Sequence, residues 1–280
     1  MAYEFGLIGY PIEHSLSPWI HKQFMQKASV DGSYSIIEIN PRENFLEQMD
    51  QLKNRNLHGF NVTIPYKQKI IPCLDEVSEE ARKIGAVNTV LNQDGKWIGY
   101  NTDGVGYIRS LEGKFPNLVA GKDKRILLIG GGGAARGIYY ALVTAGFLQV
   151  DIANRTEESA KEIAALYTGA ETNILTLQDA ERQIDAYDII IQTTSVGMKP
   201  EQDISIISLD KLRSASIVSE IIYQPLETKL LKQAQMRGAS VHYGHTMLLY
   251  QAQYAFEIWT NKKVPIEDMD DQLQLILEGR

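Results

Sequence analysis

The sequence predicts an α/β protein made of two successive α/β units, with helices at the C-terminal end that return to the first unit. Three observations carry this. Short apolar runs alternate with helix-like stretches, the rhythm of a largely parallel sheet covered by helices. That rhythm pauses over a helix-like stretch after Asp103, and the composition resets at Gly121-Lys122-Asp123-Lys124-Arg125. The restart opens on a wholly apolar run that enters four consecutive glycines, Gly130 to Gly133.

In the first unit, strands are expected at residues 5–8, 34–39 and 60–64, with helices at 19–28, 45–52 and 79–84. Residues 87–91 and 97–100 flank Asp94-Gly95, a dipeptide that accepts positive φ at little cost, so a hairpin is expected there as an edge of the first sheet. A helix-like stretch follows Asp103, and the crossing into the second unit is placed at residues 103–105. The second series has strands at 126–129, 150–153, 188–192 and 217–222, with helices at 138–144, 160–166 and 226–236. Beyond it, Met247, Leu248, Tyr250, Gln251, Tyr254, Ala255, Ile258 and Trp259 recur at helical spacing, as do Leu273, Leu275, Ile276 and Leu277. The expected boundaries are therefore 1–104, 105–243 and 244–280, the last segment completing the first domain.

Composition narrows the function classes. A chain of 280 residues with 44% hydrophobic and 22% charged residues is an ordinary globular protein long enough for two domains. Its net charge of -7 gives no general attraction for nucleic acid or for an anionic membrane, so an anionic ligand must be held by a local constellation. No apolar run reaches the length of a membrane span. The lone Cys73 excludes an intrachain disulfide framework, and residues 1–5 lack a secretory pattern, so a cytoplasmic protein is expected. His14, His21, His58, His242 and His245 form no helical metal-ligand motif, and no metal is expected. Small-molecule binding is what remains, by a chain expected as a monomer or homodimer.

The glycine run specifies one ligand class. Gly130, Gly132 and Ala135 fit the G-x-G-x-x-G/A pattern of a dinucleotide-binding, Rossmann-like unit: a tight turn, a close backbone approach for a pyrophosphate, and close helix packing. Gly131, Gly133 and Ala134 lie in the same loop, where the N-terminus of the next helix offers free N–H groups to an anion. The following strand ends at Asn154-Arg155-Thr156. An acidic residue there would bind the ribose 2′-hydroxyl of NAD, whereas the permanently charged, planar guanidinium of Arg155 suits the 2′-phosphate of NADP. Asn154 or Thr156 as a helix cap, with Arg155 merely solvated, is the plainer alternative.

Polar groups also gather in the first unit. Ser17 followed by Pro18 reads as an N-cap and first-turn pair, and Ser15, not needed for the cap, adds a second hydroxyl suited to a carboxylate beside a helix N-terminus. Thr63 and Lys67 follow a strand end, while Asn88 and Asp103 sit in otherwise apolar or turn segments. Taken singly, each is equally a turn or solvated residue.

Together these segments resemble the shikimate dehydrogenase family. The resemblance rests on His14-Ser15-Leu16-Ser17-Pro18, Asn61-Val62-Thr63-Ile64-Pro65-Tyr66-Lys67, Gly85-Ala86-Val87-Asn88-Thr89, Asn101-Thr102-Asp103-Gly104, the glycine loop with Asn154-Arg155-Thr156, Thr194-Ser195-Val196-Gly197-Met198, Tyr223-Gln224-Pro225, and Met247-Leu248 leading to Gln251. It implies a substrate-binding catalytic domain of parallel or mixed sheet, an NADP-binding Rossmann-like domain, and reversible NADPH-dependent reduction of 3-dehydroshikimate to shikimate on the route to aromatic amino acids. It further implies that Ser15 and Ser17 hold the substrate carboxylate, that Thr63, Lys67, Asn88, Asp103, Tyr223 and Gln251 complete the pocket, and that Lys67 and Asp103 are the catalytic pair. Thr194, Ser195 and Gly197 would form the nicotinamide side, with Ile221 and Gly244 near the cofactor.

Three positions depart from the resemblance: Ser159 where relatives carry a second basic residue, Gln192 where Asn is usual, and Glu220 where Asp is usual. Ser159 leaves open a quinate/shikimate dehydrogenase with relaxed cofactor use. A dinucleotide-binding protein without turnover is the remaining alternative. The path of the proton between Lys67 and Asp103 is left open by the sequence.

Overall fold

The computed structural model describes residues 2–118 and 122–279 and divides the chain into two compact units. Unit 1 comprises Met1–Asp103 and Gln251–Glu267; unit 2 comprises Gly104–Tyr250 and Asp268–Arg280. Gly121, where the composition resets in the sequence, lies outside the described residues.

Unit 1 is built on β1 (Tyr3–Gly9), α1 (Ser17–Lys27), β2 (Gly32–Glu38), α2 (Phe45–Lys53), β3 (Gly59–Val62), β4 (Glu76–Val77), α3 (Glu79–Ile84), β5 (Thr89–Gln93) and β6 (Lys96–Tyr100). The sheet order is β2-β1-β3-β5-β6-β4. β1 runs parallel to β2 and β3, and β5 is antiparallel to both β3 and β6, so the sheet is mixed. Local chemistry sets the element ends: Asn44 and Ser78 accept backbone N–H bonds at the starts of α2 and α3, and Gly85 closes α3 at φ 69°. The hairpin forms at Asp94-Gly95, both at positive φ. It is not the sheet edge: β4, two residues too short to leave a periodic signal, pairs with β6 and takes that place. The core gathers Ile8, Phe60, Val62, Val90 and Trp97 with Met49 and Leu52 of α2.

Unit 2 begins with α4 (Asp103–Lys114), whose first residue ends unit 1, and continues through β7 (Arg125–Ile129), α5 (Gly133–Thr144), β8 (Gln149–Ala153), α6 (Glu157–Ala164), β9 (Ile174–Leu175), α7 (Leu177–Arg182), β10 (Ile189–Gln192), β11 (Ile217–Glu220), α8 (Lys229–Met236) and β12 (Ser240–His242). The sheet is parallel in the order β12-β11-β10-β7-β8-β9. Both its faces are covered. Ile126 and Leu128 of β7 enter one hydrophobic cluster, while Leu127 and Ile129 enter the other, which is why β7 reads as a continuous apolar run rather than an alternating one. The short β9, α7 and β12 carry no periodicity that marked them in advance.

Two helices finish the chain, α9 (Gly244–Thr260) and α10 (Met269–Leu277). The sequence assigns all of 244–280 to the first domain; the structure divides the segment. From Gln251 onward α9 packs in unit 1, where Trp259 stacks on Phe5 with ring centroids 4.7 Å apart and its indole N–H donates to the Val90 carbonyl at 2.9 Å. The start of α9 and all of α10 belong to unit 2, where Met247 joins the core and His245 Nε2 lies 3.2 Å from Asp270 Oδ1. Side-chain spacing identifies a helix but not the unit it packs on.

Candidate functional site

In unit 1 the turn after β3 places Lys67. Its backbone carbonyl accepts the Val87 N–H at 2.7 Å, and the preceding Tyr66 is buried and stacked on Phe45, which pins the turn. The Lys67 Nζ lies 2.6 Å from Asp103 Oδ2. The two partners differ in access: the lysine side chain is 18% exposed and the aspartate only 4%. A buried carboxylate is stable only when fully partnered. Asp103 meets that condition, since Oδ1 accepts from Asn88 Nδ2 at 2.9 Å and the group sits at the N-terminus of α4, where the helix dipole favours negative charge.

Asn88 is the hub of the arrangement. Its Nδ2 lies 2.9 Å from Thr102 Oγ1, 2.9 Å from Asp103 Oδ1 and 3.4 Å from Gln251 Oε1, and its Oδ1 accepts the Thr102 N–H at 2.8 Å. Its backbone carbonyl accepts from Asn61 Nδ2, and Asn61 Oδ1 accepts the phenol of Tyr34 at 2.8 Å. Burial raises the Tyr34 phenol well above its ordinary pKa, and a hydrogen bond with Ser17 offsets part of that rise. A continuous chain of polar contacts thus runs from Ser17 through Tyr34, Asn61 and Asn88 to Asp103 and Lys67. His21 stacks on Tyr34 at 4.4 Å, held neutral by burial that pulls its pKa down to about 3.

Ser17 does not hold the capping role expected of it; Leu16 occupies the N-cap position of α1, without a side-chain capping bond. Leu16 already has helical dihedrals, so Ser17 is the first helical residue and not the cap. The Ser15 hydroxyl accepts the Ser17 N–H at 3.3 Å and lies 3.2 Å from Ser17 Oγ, so it is Ser15 that satisfies an orphan donor of the first turn. Thr63, half-buried, follows β3 and donates its N–H to the Ile8 carbonyl. The predicted residues Ser15, Ser17, Thr63, Lys67, Asn88, Asp103 and Gln251 all fall in unit 1. Tyr223, half-buried after β11, falls in unit 2. Sequence reasoning gave no role to Tyr34, Asn61, Thr102 or His21. For Asn61 the available signal was a polar side chain within the otherwise apolar β3.

The second constellation is in unit 2 and is made mostly of backbone. β7 leads to Gly130, which has φ 130° and whose added Cβ would collide with Thr193 Oγ1. Gly132 is different: its φ of -89° suits any residue and a Cβ there would meet nothing within 4 Å. The fold therefore supplies no reason for glycine at 132, whereas an anion lying on the backbone would. Gly132 precedes α5 and offers no side-chain cap, which leaves the first N–H groups from Gly133 and Ala134 onward open to a ligand. Asn154 Nδ2 packs over Gly131 and donates to the Thr156 carbonyl at 2.9 Å. Thr156 does occupy the N-cap position of α6, but its side chain makes no capping bond.

Arg155 is exposed and, among the described arginines of unit 2, is the one without a carboxylate partner. The others pair as Arg109 with Glu112, Arg125 with Asp151, Arg136 with Glu162, Arg182 with Asp179, Arg213 with Asp188 and Arg237 with Asp210. A free guanidinium beside an open helix N-terminus and an unfilled glycine position is a donor set that fits a phosphorylated dinucleotide. Thr194 and exposed Ser195 lie in the loop after β10, and the backbone of Gly244 packs directly against the Ile221 carbonyl. Among the described residues no group of three or more His, Cys, Asp or Glu is placed to hold a metal, and no helix is long and apolar enough to cross a membrane.

Three family models match the chain: the shikimate dehydrogenase substrate-binding domain over residues 7–90, shikimate/quinate 5-dehydrogenase over 112–214, and the shikimate 5'-dehydrogenase C-terminal domain over 244–274. The shikimate dehydrogenase (NADP(+)) of Oceanobacillus iheyensis is 50% identical over 280 residues, covering 100% of both chains. The Thermus thermophilus shikimate 5-dehydrogenase, solved in complex with NADP(H) and shikimate, is 30% identical with a TM-score of 0.85, covering 97% of this chain and 98% of that one. The Corynebacterium glutamicum quinate dehydrogenase, solved with NAD, is 28% identical with a TM-score of 0.87, covering 100% of this chain and 99% of its own.

Proposed function

We propose, on the premise that this chain belongs to the shikimate dehydrogenase family, a division of labour among its own residues. The reaction is the reversible NADPH-dependent reduction of 3-dehydroshikimate to shikimate. When bound, the cofactor supplies the hydride that the ketone carbon accepts, and in the opposite direction takes it up.

The protein's own task is the proton. Reduction leaves an oxygen that must gain one, and oxidation requires the hydroxyl to lose one. Lys67 is the donor and acceptor at that oxygen: it is the cation of the polar chain in unit 1, and it retains partial exposure while its partner is sealed. Asp103, fixed by Asn88, holds the ammonium in place and compensates its charge in both directions of the reaction. Ser15 and Ser17 hold the substrate carboxylate at the α1 N-terminus, and Thr63, Asn88, Tyr223 and Gln251 bind the remaining polar groups. The glycine loop with Ala134, Asn154 and Thr156 cradles the phosphates, Arg155 pairs with the 2′-phosphate, and Thr194, Ser195, Ile221 and Gly244 line the nicotinamide side.

The observation that carries this reading is the 2.6 Å contact between Lys67 and a buried, fully partnered Asp103. A dinucleotide-binding protein without turnover has no use for such a pair. A second reading, with quinate or NAD also accepted, is favoured by Arg155 standing alone: Ser159, next to the glycine loop, adds no positive charge. Initial rates with shikimate and quinate, each with NADP and NAD, separate the two. A preference for shikimate with NADP supports the first reading, and comparable rates with quinate and NAD support the second. We place the enzyme in the cytoplasm, as a monomer or homodimer.

A further inference from the structure

The end of the unit 2 sheet holds a buried polar pair with no part in the proton chemistry above. Gln192 and Glu220 are the last residues of β10 and β11, directly opposite each other in the parallel register. The C-terminal ends of such strands are where a doubly wound sheet meets its ligand. Both residues are buried, at 0% and 1% exposure. Glu220 has no cation among its hydrogen-bond partners: Oε1 accepts from Gln192 Nε2 at 2.9 Å and Oε2 accepts the Thr228 hydroxyl. Burial lifts its pKa to about 7, with the bonds from Thr228 and Gln192 offsetting part of that rise. A carboxyl buried at such cost is retained for the groups it holds.

It holds an amide in one orientation. With Nε2 turned to Glu220, Gln192 also donates to the Val196 carbonyl at 3.1 Å, and its Oε1 accepts the Thr194 N–H. The carboxamide therefore bridges the loop after β10 from the inside, taking a donor from one side and an acceptor from the other as a peptide group would. Thr194 Oγ1 closes the turn by accepting the Val196 N–H at 3.2 Å. Rotating the amide by half a turn would set its oxygen against both the Val196 carbonyl and the Glu220 carboxyl. Glu220 opposes that flip, and Thr228, which also caps α8 through the Leu231 N–H, fixes Glu220 in turn.

We infer that Glu220 is a positioning residue: through Gln192 it fixes the shape of the loop at 193–197 and so presents Thr194 and Ser195 to the nicotinamide half of NADP. This rests on the reading that this loop lines the nicotinamide side. The adenosine half has separate holders in the glycine loop and Arg155, so the clamp acts on one half of the ligand only.

The test compares NADP+ with adenosine 2′,5′-bisphosphate, which lacks the nicotinamide, by calorimetry, together with the melting temperature of the ligand-free chain and kcat. Glu220→Leu removes the acceptor facing Gln192; it should weaken NADP+ by about tenfold, lower kcat by about 10–100-fold, and leave the bisphosphate within about twofold. Glu220→Gln keeps an acceptor toward Gln192 and should stay near the parent values. The exchanged pair Gln192→Glu with Glu220→Gln restores a donor–acceptor contact between the strands but leaves the Val196 carbonyl without its donor. It should recover melting temperature without recovering NADP+ affinity, which keeps the inference testable even if Glu220→Leu fails to fold. Recovery of both properties in the exchanged pair would reduce Glu220 to a structural role and overturn the inference. Ser195→Leu, at an exposed position, tests the underlying reading: unchanged NADP+ affinity there removes the loop from the cofactor site and the inference with it. Loss in Ser195→Leu with none in Glu220→Leu overturns the inference alone.

Discussion

The two constellations are built from opposite materials. In unit 1 the constellation resides in polar side chains linked from Ser17 to Lys67, in part through the Asn88 carbonyl, with the buried carboxylate of Asp103 beside the lysine. In unit 2 it resides in backbone N–H groups, in positions kept free of side chains, and in the exposed guanidinium of Arg155. The contrast follows from the tasks. A proton must be exchanged at a defined atom, which requires titratable groups preorganised by their neighbours. A pyrophosphate requires an anion site of fixed shape, which a helix N-terminus provides without any side chain. The first site should therefore be broken by truncation and the backbone cradle of the second by addition, with Arg155 the one side chain there whose truncation matters.

The largest expected effect is at Lys67. Lys67→Met, similar in length but without a transferable proton, should lower kcat for shikimate oxidation by about 10²–10⁴-fold. Shikimate and NADP+ binding by calorimetry should change much less, because Ser15, Ser17, Thr63 and Gln251 remain. A folded variant with near-normal kcat would move the proton to another group and dissolve the contrast between the units.

Next comes the exposed charge. Arg155→Ala should cost NADP about 1.5–3 kcal/mol of binding while leaving NAD nearly unaffected, since only NADP carries the 2′-phosphate. Equal losses for both cofactors, measured by titration, would reassign Arg155 to a general surface role.

The glycine loop sharpens the comparison, because two of its glycines should respond differently to one added methyl group. Gly130→Ala meets both a positive φ and the Thr193 hydroxyl, so it should lower the melting temperature as well as NADP+ affinity. Gly132→Ala has room and an ordinary φ, so stability should hold within about 0.5 kcal/mol while NADP+ binding weakens. Undiminished NADP+ affinity in Gly132→Ala would show that the open space there is not the ligand's.

The smallest effect is expected at Ser15. Ser15→Ala should raise KM for shikimate several-fold and spare kcat, as uniform binding predicts. Because Ser15 also accepts the Ser17 N–H, the substitution should lower stability by about 0.5–1.5 kcal/mol. Steady-state kinetics set beside thermal melts would show whether the two roles separate, and an unchanged KM would leave only the structural one.

The alternation of apolar and helical stretches was enough to place the main strands of both sheets, because buried parallel strands and amphipathic helices leave periodic marks on the chain. The glycine loop was legible for a similar reason: it is a local pattern whose backbone geometry is complete within a few residues. The sequence by itself thus determined the fold class and the dinucleotide loop, while Lys67 and Asp103 were singled out as a pair only through the family resemblance. What the tertiary structure decided are the relations between distant residues. β4 took the sheet edge, Leu16 and not Ser17 took the N-cap position of α1, and Gln251 and Tyr250 went to different units within one helix. Tyr34, Asn61 and Glu220 acquired their roles only through partners that lie far along the chain or across a strand register. A hydrogen bond between residues 27 positions apart, such as Tyr34 to Asn61, has no local signature; it exists only once packing has brought its donor and acceptor together and excluded the water that would otherwise replace either one.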